Sequence, residues 1–238
     1  MSMKRAVVLA GGKGTRLRPY TVALPKPLMP IGEYPILEVI IRQLRAQGFE
    51  HVTLAVNHQA DLFRAFFGDG SKWGMRIDYS LESKALSTMA PLKLIDDLPE
   101  HFLVMNGDIL TDIAYGDFLQ AHVEADRLFT ISASARQQKI DYGVLNVDAA
   151  GILNGFEEKP SIPFLVSMGV YAVSRRAVDS IPPDQAYGFD DLVLGFLRQG
   201  EKVTTVPHQG YWLDIGRPDD YERASEDWPA LSQRLLLA

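Results

Sequence analysis

The sequence contains no cysteine. That excludes disulfides, thiol chemistry and Cys-ligated metals in this chain. No apolar run reaches the roughly 18 residues that a membrane-spanning helix needs. Positive charge is also in short supply: 24 Lys and Arg stand against 30 Asp and Glu, for a net charge of −6. A chain with that balance lacks the broad basic surface of a nucleic-acid binder, so any cationic site must be local. Met1-Ser2-Met3-Lys4-Arg5 leads straight into a short strand, without a signal-peptide pattern. Internal repeats and low-complexity linkers are missing too. These absences point to a cytoplasmic protein with neither membrane nor nucleic acid as a partner. What is present is 238 residues, 47% of them hydrophobic. That is enough core for one α/β domain, or for a domain with a small extension.

The chain is organised around its opening stretch. Ala6-Val7-Val8-Leu9 reads as a buried first strand. Gly11, Gly12 and Gly14 follow within four positions. They open the backbone, so that amide N–H groups can crowd around an anion without interference from Cβ atoms. Lys13 and Arg16 add cationic donors, and Lys26 follows between Pro25 and Pro27, which restrict the backbone on both sides. A strand, a glycine loop and three basic side chains suggest a polyphosphate site. The plainer alternative is a glycine-rich turn with surface cations. Two familiar loops do not fit. The dinucleotide fingerprint meets Leu17 where its third glycine belongs, and G-x-x-x-x-G-K-[ST] is absent.

The next segments alternate. Pro35 to Gln47 has helical spacing with Gly48 as its stop, and His51 to Val56 reads as a strand. Asp61 to Phe67 reads as a helix, Met75 to Ser80 as a strand, Thr88 to Asp96 as helical and Phe102 to Met105 as a strand. This pattern predicts a Rossmann-like, mostly parallel sheet with helices on both faces and ligands at the carboxyl ends of its strands. Asn106-Gly107-Asp108 lies at one such end, where a carboxylate could hold a hard cation. A solvated turn is the alternative. Tyr115 to Ala125 reads as a helix and Leu128 to Ala135 as a strand. Then come three short β-type runs, Tyr142 to Val147, Ile152 to Glu157 and Val166 to Val173, which suggest a small antiparallel excursion. Helices over Arg175 to Ile181 and Asp190 to Gln199, a last strand over Lys202 to Val206 and a closing helix over Pro218 to Glu226 complete the reading. The apolar end, Leu235 to Ala238, leaves a homodimer open.

Leu9-Ala10-Gly11-Gly12-Lys13-Gly14-Thr15-Arg16-Leu17, followed by Leu24-Pro25-Lys26-Pro27-Leu28, resembles the signature of the sugar-1-phosphate nucleotidylyltransferases. The resemblance continues to about Asp220. It implies an α/β fold of the nucleotide-diphospho-sugar transferase type, forming one domain over residues 1–238. Within it, about 1–135 would bind nucleotide and about 136–238 sugar. The implied nucleotide contacts are Leu9, Ala10, Gly11, Gly12, Lys13, Gly14, Thr15, Glu82, Ser87 and Thr88. Arg16, Lys26 and Asp108 would be catalytic, and Asp108 with Asp214 of Trp212-Leu213-Asp214-Ile215-Gly216 would bind magnesium. Asn106, Gly143 of Tyr142-Gly143-Val144, Glu158 and Lys159 of Glu158-Lys159-Pro160, and Gly169 of Gly169-Val170-Tyr171 would meet the sugar. Local sequence alone leaves Glu158-Lys159 a charged turn and Asp214 a cap.

The implied activity is nucleotidyl transfer from a nucleoside triphosphate to a sugar 1-phosphate in nucleotide-sugar biosynthesis. Many relatives carry P-L-G-T-A-G-A-L where this chain has Ala85-Leu86-Ser87-Thr88-Met89-Ala90-Pro91-Leu92. Two glycines that lie against the base are replaced, and Met89 is bulkier than alanine, so backbone approach to the base is expected to differ. Glu82 can pair with the N1–H and N2–H₂ of a guanine; otherwise it is an ordinary polar residue at the rim. The overall look is closest to the mannose-1-phosphate and heptose-1-phosphate guanylyltransferases, which favours GTP. Uridylyl, cytidylyl or thymidylyl transfer remains open, as does a non-catalytic sensor or regulatory subunit. Larger relatives carry a C-terminal left-handed β-helix, for which this sequence has no room.

Overall fold

The computed structural model describes residues 3–12, 14–57 and 59–236. Strand β1 (Lys4–Leu9) leads through the glycine loop to a small hairpin, β2 (Pro30–Ile31) and β3 (Tyr34–Pro35), and then to helix α1 (Ile36–Ala46). Ile36, Leu37, Ile40, Ile41 and Leu44 are all buried, as their spacing predicts. Strand β4 (Phe49–Val56), helix α2 (Ala60–Phe67) and strand β5 (Arg76–Leu81) come next. Strands β6 (His101–Asn106) and β7 (Ile109–Thr111) and helix α3 (Tyr115–Glu124) follow. Strands β8 (Phe129–Lys139), β9 (Gly143–Val147), β10 (Leu153–Glu158) and β11 (Ser161–Ser174) lead to helices α4 (Arg175–Asp179) and α5 (Phe189–Gln199). Strands β12 (Val203–His208) and β13 (Trp212–Asp214) and helix α6 (Pro218–Leu236) close the described chain.

Seven strands form the main sheet in the order β12-β8-β11-β6-β1-β4-β5. The pairs β5–β4, β4–β1, β1–β6 and β8–β12 are parallel, while β11 runs antiparallel to both β6 and β8. Side chains alternate between two cores. Ala6 and Val8 enter one, with α1 and Trp228 of α6; Val7 enters the other, with Phe102, Phe129 and Phe196. A sheet covered on both faces needs strands that are apolar throughout, which is why β1 and β6 read as unbroken hydrophobic runs. The chain passes from β1 outward to β4 and β5, then returns to the other side of β1 as β6. That reversal makes the carboxyl ends of β1 and β6 the switch point of the sheet, where such folds open a crevice.

Several expectations need correction. The run over Val166 to Val173 is part of a 14-residue strand, and it belongs to the main sheet rather than to the antiparallel excursion. Only β9 and β10 form that excursion, as a separate two-stranded ribbon. Non-local pairing with β6 and β8 decides the matter for β11, and local pattern cannot report it. The stretch from Thr88 to Asp96 holds a single 3-10 turn over Ala90–Leu94, with Pro91 near its start. The strand at Val203–His208 is not the last, since β13 pairs with β7. Helix α6 runs ten residues past Glu226, through Pro229, because Trp228 just before the proline and Leu235 beyond it are both buried against the core. Leu237 and Ala238, at the end of the apolar tail, lie outside the described residues. No helix among the described residues is long and apolar enough to cross a membrane.

Candidate active site

A cavity of about 650 Å³ opens at the switch point. Its walls come from the glycine loop, the turn at Lys26, the carboxyl ends of β4 and β6, and the segment 82–91. The volume is within the range that holds a small-molecule ligand.

The glycine loop is anchored at both ends. Ala10 donates its N–H to the Ala55 carbonyl (2.8 Å), and the fully buried Leu17 closes the 3-10 turn Thr15–Leu17. Thr21 Oγ1 holds the Gly14 carbonyl at 2.7 Å. A side chain at Gly11 would put its Cβ 2.6 Å from Glu82 Oε1. A larger residue there would make the Glu82 carboxylate swing aside. Leu9, Ala10, Gly11, Gly12, Gly14, Thr15 and Arg16 all reach the cavity. Lys13 lies outside the described residues.

Lys26 heads a 3-10 turn that buries Pro27 and Leu28, so its stem is fixed and its ammonium is aimed inward. Lys26 Nζ makes an ion pair with Asp108 Oδ2, with side chains 10% and 21% exposed. Asp108 follows β6 and is held from the other side by the Ile215 N–H on its carbonyl (3.0 Å). The β7–β13 ribbon places Asp214 opposite Ile109, one residue beyond Asp108. The Asp214 carboxyl is pushed above its usual range, first by burial and then by the Asp108 charge; Lys26 and Arg16 act in the opposite sense. The Arg16 guanidinium lies beside Gly216, next to that carboxylate. Two carboxylates that repel one another, with two cations against them, form a site suited to anionic ligands accompanied by a cation.

Glu82 stands half-buried on the opposite wall, and burial pushes its carboxyl up. Ser87 and Thr88 line the same wall. Met89 and Ala90 do not. Both are buried in the core beneath the loop, so the extra bulk of Met89 points away from the cavity.

The residues that the family resemblance assigned to the sugar separate into two groups. Asn106 is at the cavity, and Gly169 packs directly against it: a Cβ there would lie 2.7 Å from Asn106 Nδ2, at a φ of +76°. Gly143, Glu158 and Lys159 are on the exposed β9–β10 ribbon and form no part of the cavity wall. Gly143 pairs with Glu158 across the ribbon, and the Phe156 ring lies over Gly143.

Sequence reasoning passed over Asn57, Lys84 and Gly216, which also line the cavity. Asn57 donates to the Gly11 carbonyl and so braces the loop. Its signal was available, as the first polar residue after the apolar strand β4. Gly216 was visible as the last residue of Trp212-Leu213-Asp214-Ile215-Gly216, while Lys84 had no signal, because only the fold brings it to the cavity.

A family model described as "Nucleotidyl transferase" matches residues 5–230. The chain therefore belongs to the nucleotidyl transferase family. It is 32% identical over 240 residues to the UTP–glucose-1-phosphate uridylyltransferase of Synechocystis sp., covering 92% of this chain and 62% of that protein. It is also 32% identical over 231 residues to the mannose-1-phosphate guanylyltransferase of Mycobacterium tuberculosis, covering 93% of this chain and 64% of that one. The chain thus spans less than two thirds of the length of these two relatives. Among solved structures, HddC from Yersinia pseudotuberculosis complexed with GMP-PN is similar, with a TM-score of 0.72 and 27% identity, covering 95% of this chain and 100% of that one.

Proposed function

We propose that this chain transfers a nucleotidyl group from a nucleoside triphosphate to a sugar 1-phosphate. An oxygen of the sugar phosphate attacks the α-phosphorus and forms the new P–O bond. The bond from that phosphorus to the bridging oxygen breaks, and pyrophosphate leaves with its electron pair. The nucleophile is already an anion at neutral pH, so no strong base is needed. The task is to bring two anions together and stabilise charge on the phosphoryl group in flight.

The observation that carries the reading is the Lys26–Asp108 pair, which shares one cavity with Arg16 and an anchored glycine loop and has Asp214 beside it. In this scheme the backbone of Gly11, Gly12 and Gly14, with Leu9, Ala10 and Thr15, cradles the triphosphate. Arg16 stabilises the α-phosphate and the departing pyrophosphate, and Lys26 bridges the nucleotide and sugar phosphates. Asp108 and Asp214 are the residues that would hold Mg²⁺. Among the described residues no cluster of three or more His, Cys, Asp or Glu encloses an ion. Two carboxylates nevertheless suit magnesium, which commonly takes one or two from protein and completes its shell with substrate phosphates. When bound, the ion shields the repulsion between the phosphates and polarises the α-phosphoryl oxygen.

Glu82 favours guanine, because one carboxylate matches its N1–H and N2–H₂ donors, and Ser87 lines the same cavity. The GMP-PN complex of HddC and the guanylyltransferase of M. tuberculosis support that choice. The equally similar uridylyltransferase makes UTP the first competitor. A mannose or heptose 1-phosphate is the favoured acceptor, met by Asn106 at the cavity, by Gly169 packed behind it, and by Gly143, Glu158 and Lys159 on and beside the ribbon. On this reading residues up to about 135 serve the nucleotide and the remainder serve the sugar.

The test is pyrophosphate release with Mg²⁺ across GTP, UTP, CTP and dTTP, each paired with mannose, heptose, glucose and N-acetylglucosamine 1-phosphates. A productive GTP pair is the expected result. Nucleotide binding without turnover of any pair would favour the regulatory-subunit alternative.

A further inference from the structure

The segment 184–189, a hundred residues away in sequence, grips the loop 84–90 that forms the Glu82–Ser87 wall. Lys84 Nζ donates to the Asp184 carbonyl (2.6 Å). Tyr187 N–H donates to the Leu86 carbonyl (3.0 Å), and the Tyr187 carbonyl accepts from the N–H groups of both Met89 (3.0 Å) and Ala90 (3.1 Å). Phe189 N–H donates to Thr88 Oγ1 (2.8 Å). Five hydrogen bonds therefore span positions 84 to 90, and they enclose the one residue of that loop with strained backbone. Ser87 has a φ of +66°, in the left-handed region. A non-glycine residue there is disfavoured by on the order of 1 kcal/mol or more, and it persists where its surroundings over-determine it.

The clamp is itself anchored. Phe189 stacks on Tyr171 (centroids 4.7 Å apart, planes at 21°), which neighbours Phe129 in the core. Gly188 N–H is held by Asp191 Oδ2 at 2.8 Å, which fixes the start of α5. Glycine would carry backbone freedom intrinsically. Here Ser87 and Ala90 lack that freedom, and an external strap sets the loop's shape.

We infer that Tyr187 to Asp191 are positioning residues for nucleobase selection: the clamp holds Ser87 in its left-handed conformation and so sets which base the wall accepts. This rests on the nucleotide reading of the cavity. None of the clamp side chains beyond Lys84 and Thr88 lines the cavity, so they act through the loop rather than on the ligand.

The experiment compares wild type with Phe189→Ala, Phe189→Tyr and Asp191→Ala. Amide exchange at Met89 and Ala90 is read in the nucleotide-free protein. Affinities for GTP, UTP, CTP and dTTP are read by calorimetry, and KM and kcat for each in turnover. Loosening the clamp in Phe189→Ala should speed exchange at both amides about tenfold or more. It should weaken the preferred nucleotide about five- to tenfold, narrow its lead over the next base, and leave kcat within about twofold. The KM for the sugar phosphate should not move, and Phe189→Tyr should restore all values. Asp191→Ala should give a milder version of the same pattern, which covers failure of Phe189→Ala to fold. Unchanged exchange, or faster exchange with base discrimination intact, would overturn the inference. Because exchange and calorimetry need no turnover, an inactive enzyme would count against the proposed reaction without touching this result.

Discussion

The switch-point cavity and the β9–β10 ribbon are built on opposite principles. Around the cavity, loops spring from strands whose central residues are wholly buried, and further contacts hold the Lys26 side chain and the backbone of the glycine loop. Lys26 is pinned by Asp108, the Gly11 carbonyl by Asn57, and the Gly14 carbonyl by Thr21. On the ribbon almost nothing is buried. Leu145, Val147, Leu153 and Phe156 are each more than half exposed. A two-stranded ribbon with little to pack against is marginal in water. The contrast teaches that this protein builds its proposed polyphosphate site on a braced scaffold and leaves part of its proposed acceptor site on an element with little stability of its own.

The largest effect should come from applying one deletion to both regions. Phe102→Ala in β6 should cost about 3–5 kcal/mol of unfolding free energy. Phe156→Ala on the ribbon should cost less than about 1 kcal/mol, since its ring is 59% exposed. Denaturant melts of the two variants check this, and equal losses would erase the contrast. Next in size is Arg16→Ala. Its side chain is exposed, so Tm should hold while kcat falls about 10²–10³-fold, by analogy with loss of one transition-state donor. Wild-type turnover would remove Arg16 from its proposed role.

His122 is fully buried, with Nδ1 2.8 Å from Thr130 Oγ1 and no partner for Nε2. Burial pushes its pKa down from 6.5 to about 4, with neighbouring His101 acting in the same direction. The unfolded chain therefore takes up this proton at a higher pH than the folded one. Stability from neutral His122 is complete above pH 6.5 and is lost as the pH falls toward about 4, by on the order of 2–3 kcal/mol. Thermal melts between pH 7 and 4.5 should show the slope, and His122→Phe should flatten it. The smallest effect belongs to the ribbon: Glu158→Gln should raise KM for the sugar phosphate about tenfold and leave KM for the nucleotide alone. A matching shift in both constants would mean that ribbon and cavity are not separable.

Much of this was legible in the residues. The runs Ala6–Leu9 and Phe102–Met105 mark central strands because burial on both faces demands continuous apolarity. Gly11 to Arg16, Lys26 and Asp108 stand out because turn chemistry and charge sit directly after such strands. Other features left no local trace. Strand β11 reads as a short run because its length comes from pairing with β6 and β8 across the sheet. The fate of Met89, inward or outward, depends on a core that its neighbours in sequence do not form.

The sequence by itself determined the parallel alternation, the glycine loop after the first strand and the kinds of side chain gathered around it, because these follow from periodicity, backbone freedom and charge over short spans. Only the tertiary structure decided that Asp214 stands beside Asp108 and that Tyr187 grips the Ser87 loop. It also decided that Gly143 and Glu158 stand on an exposed ribbon while Gly169 packs at Asn106. Each of these is a contact between distant segments, set by strand pairing and by burial on both faces of the sheet.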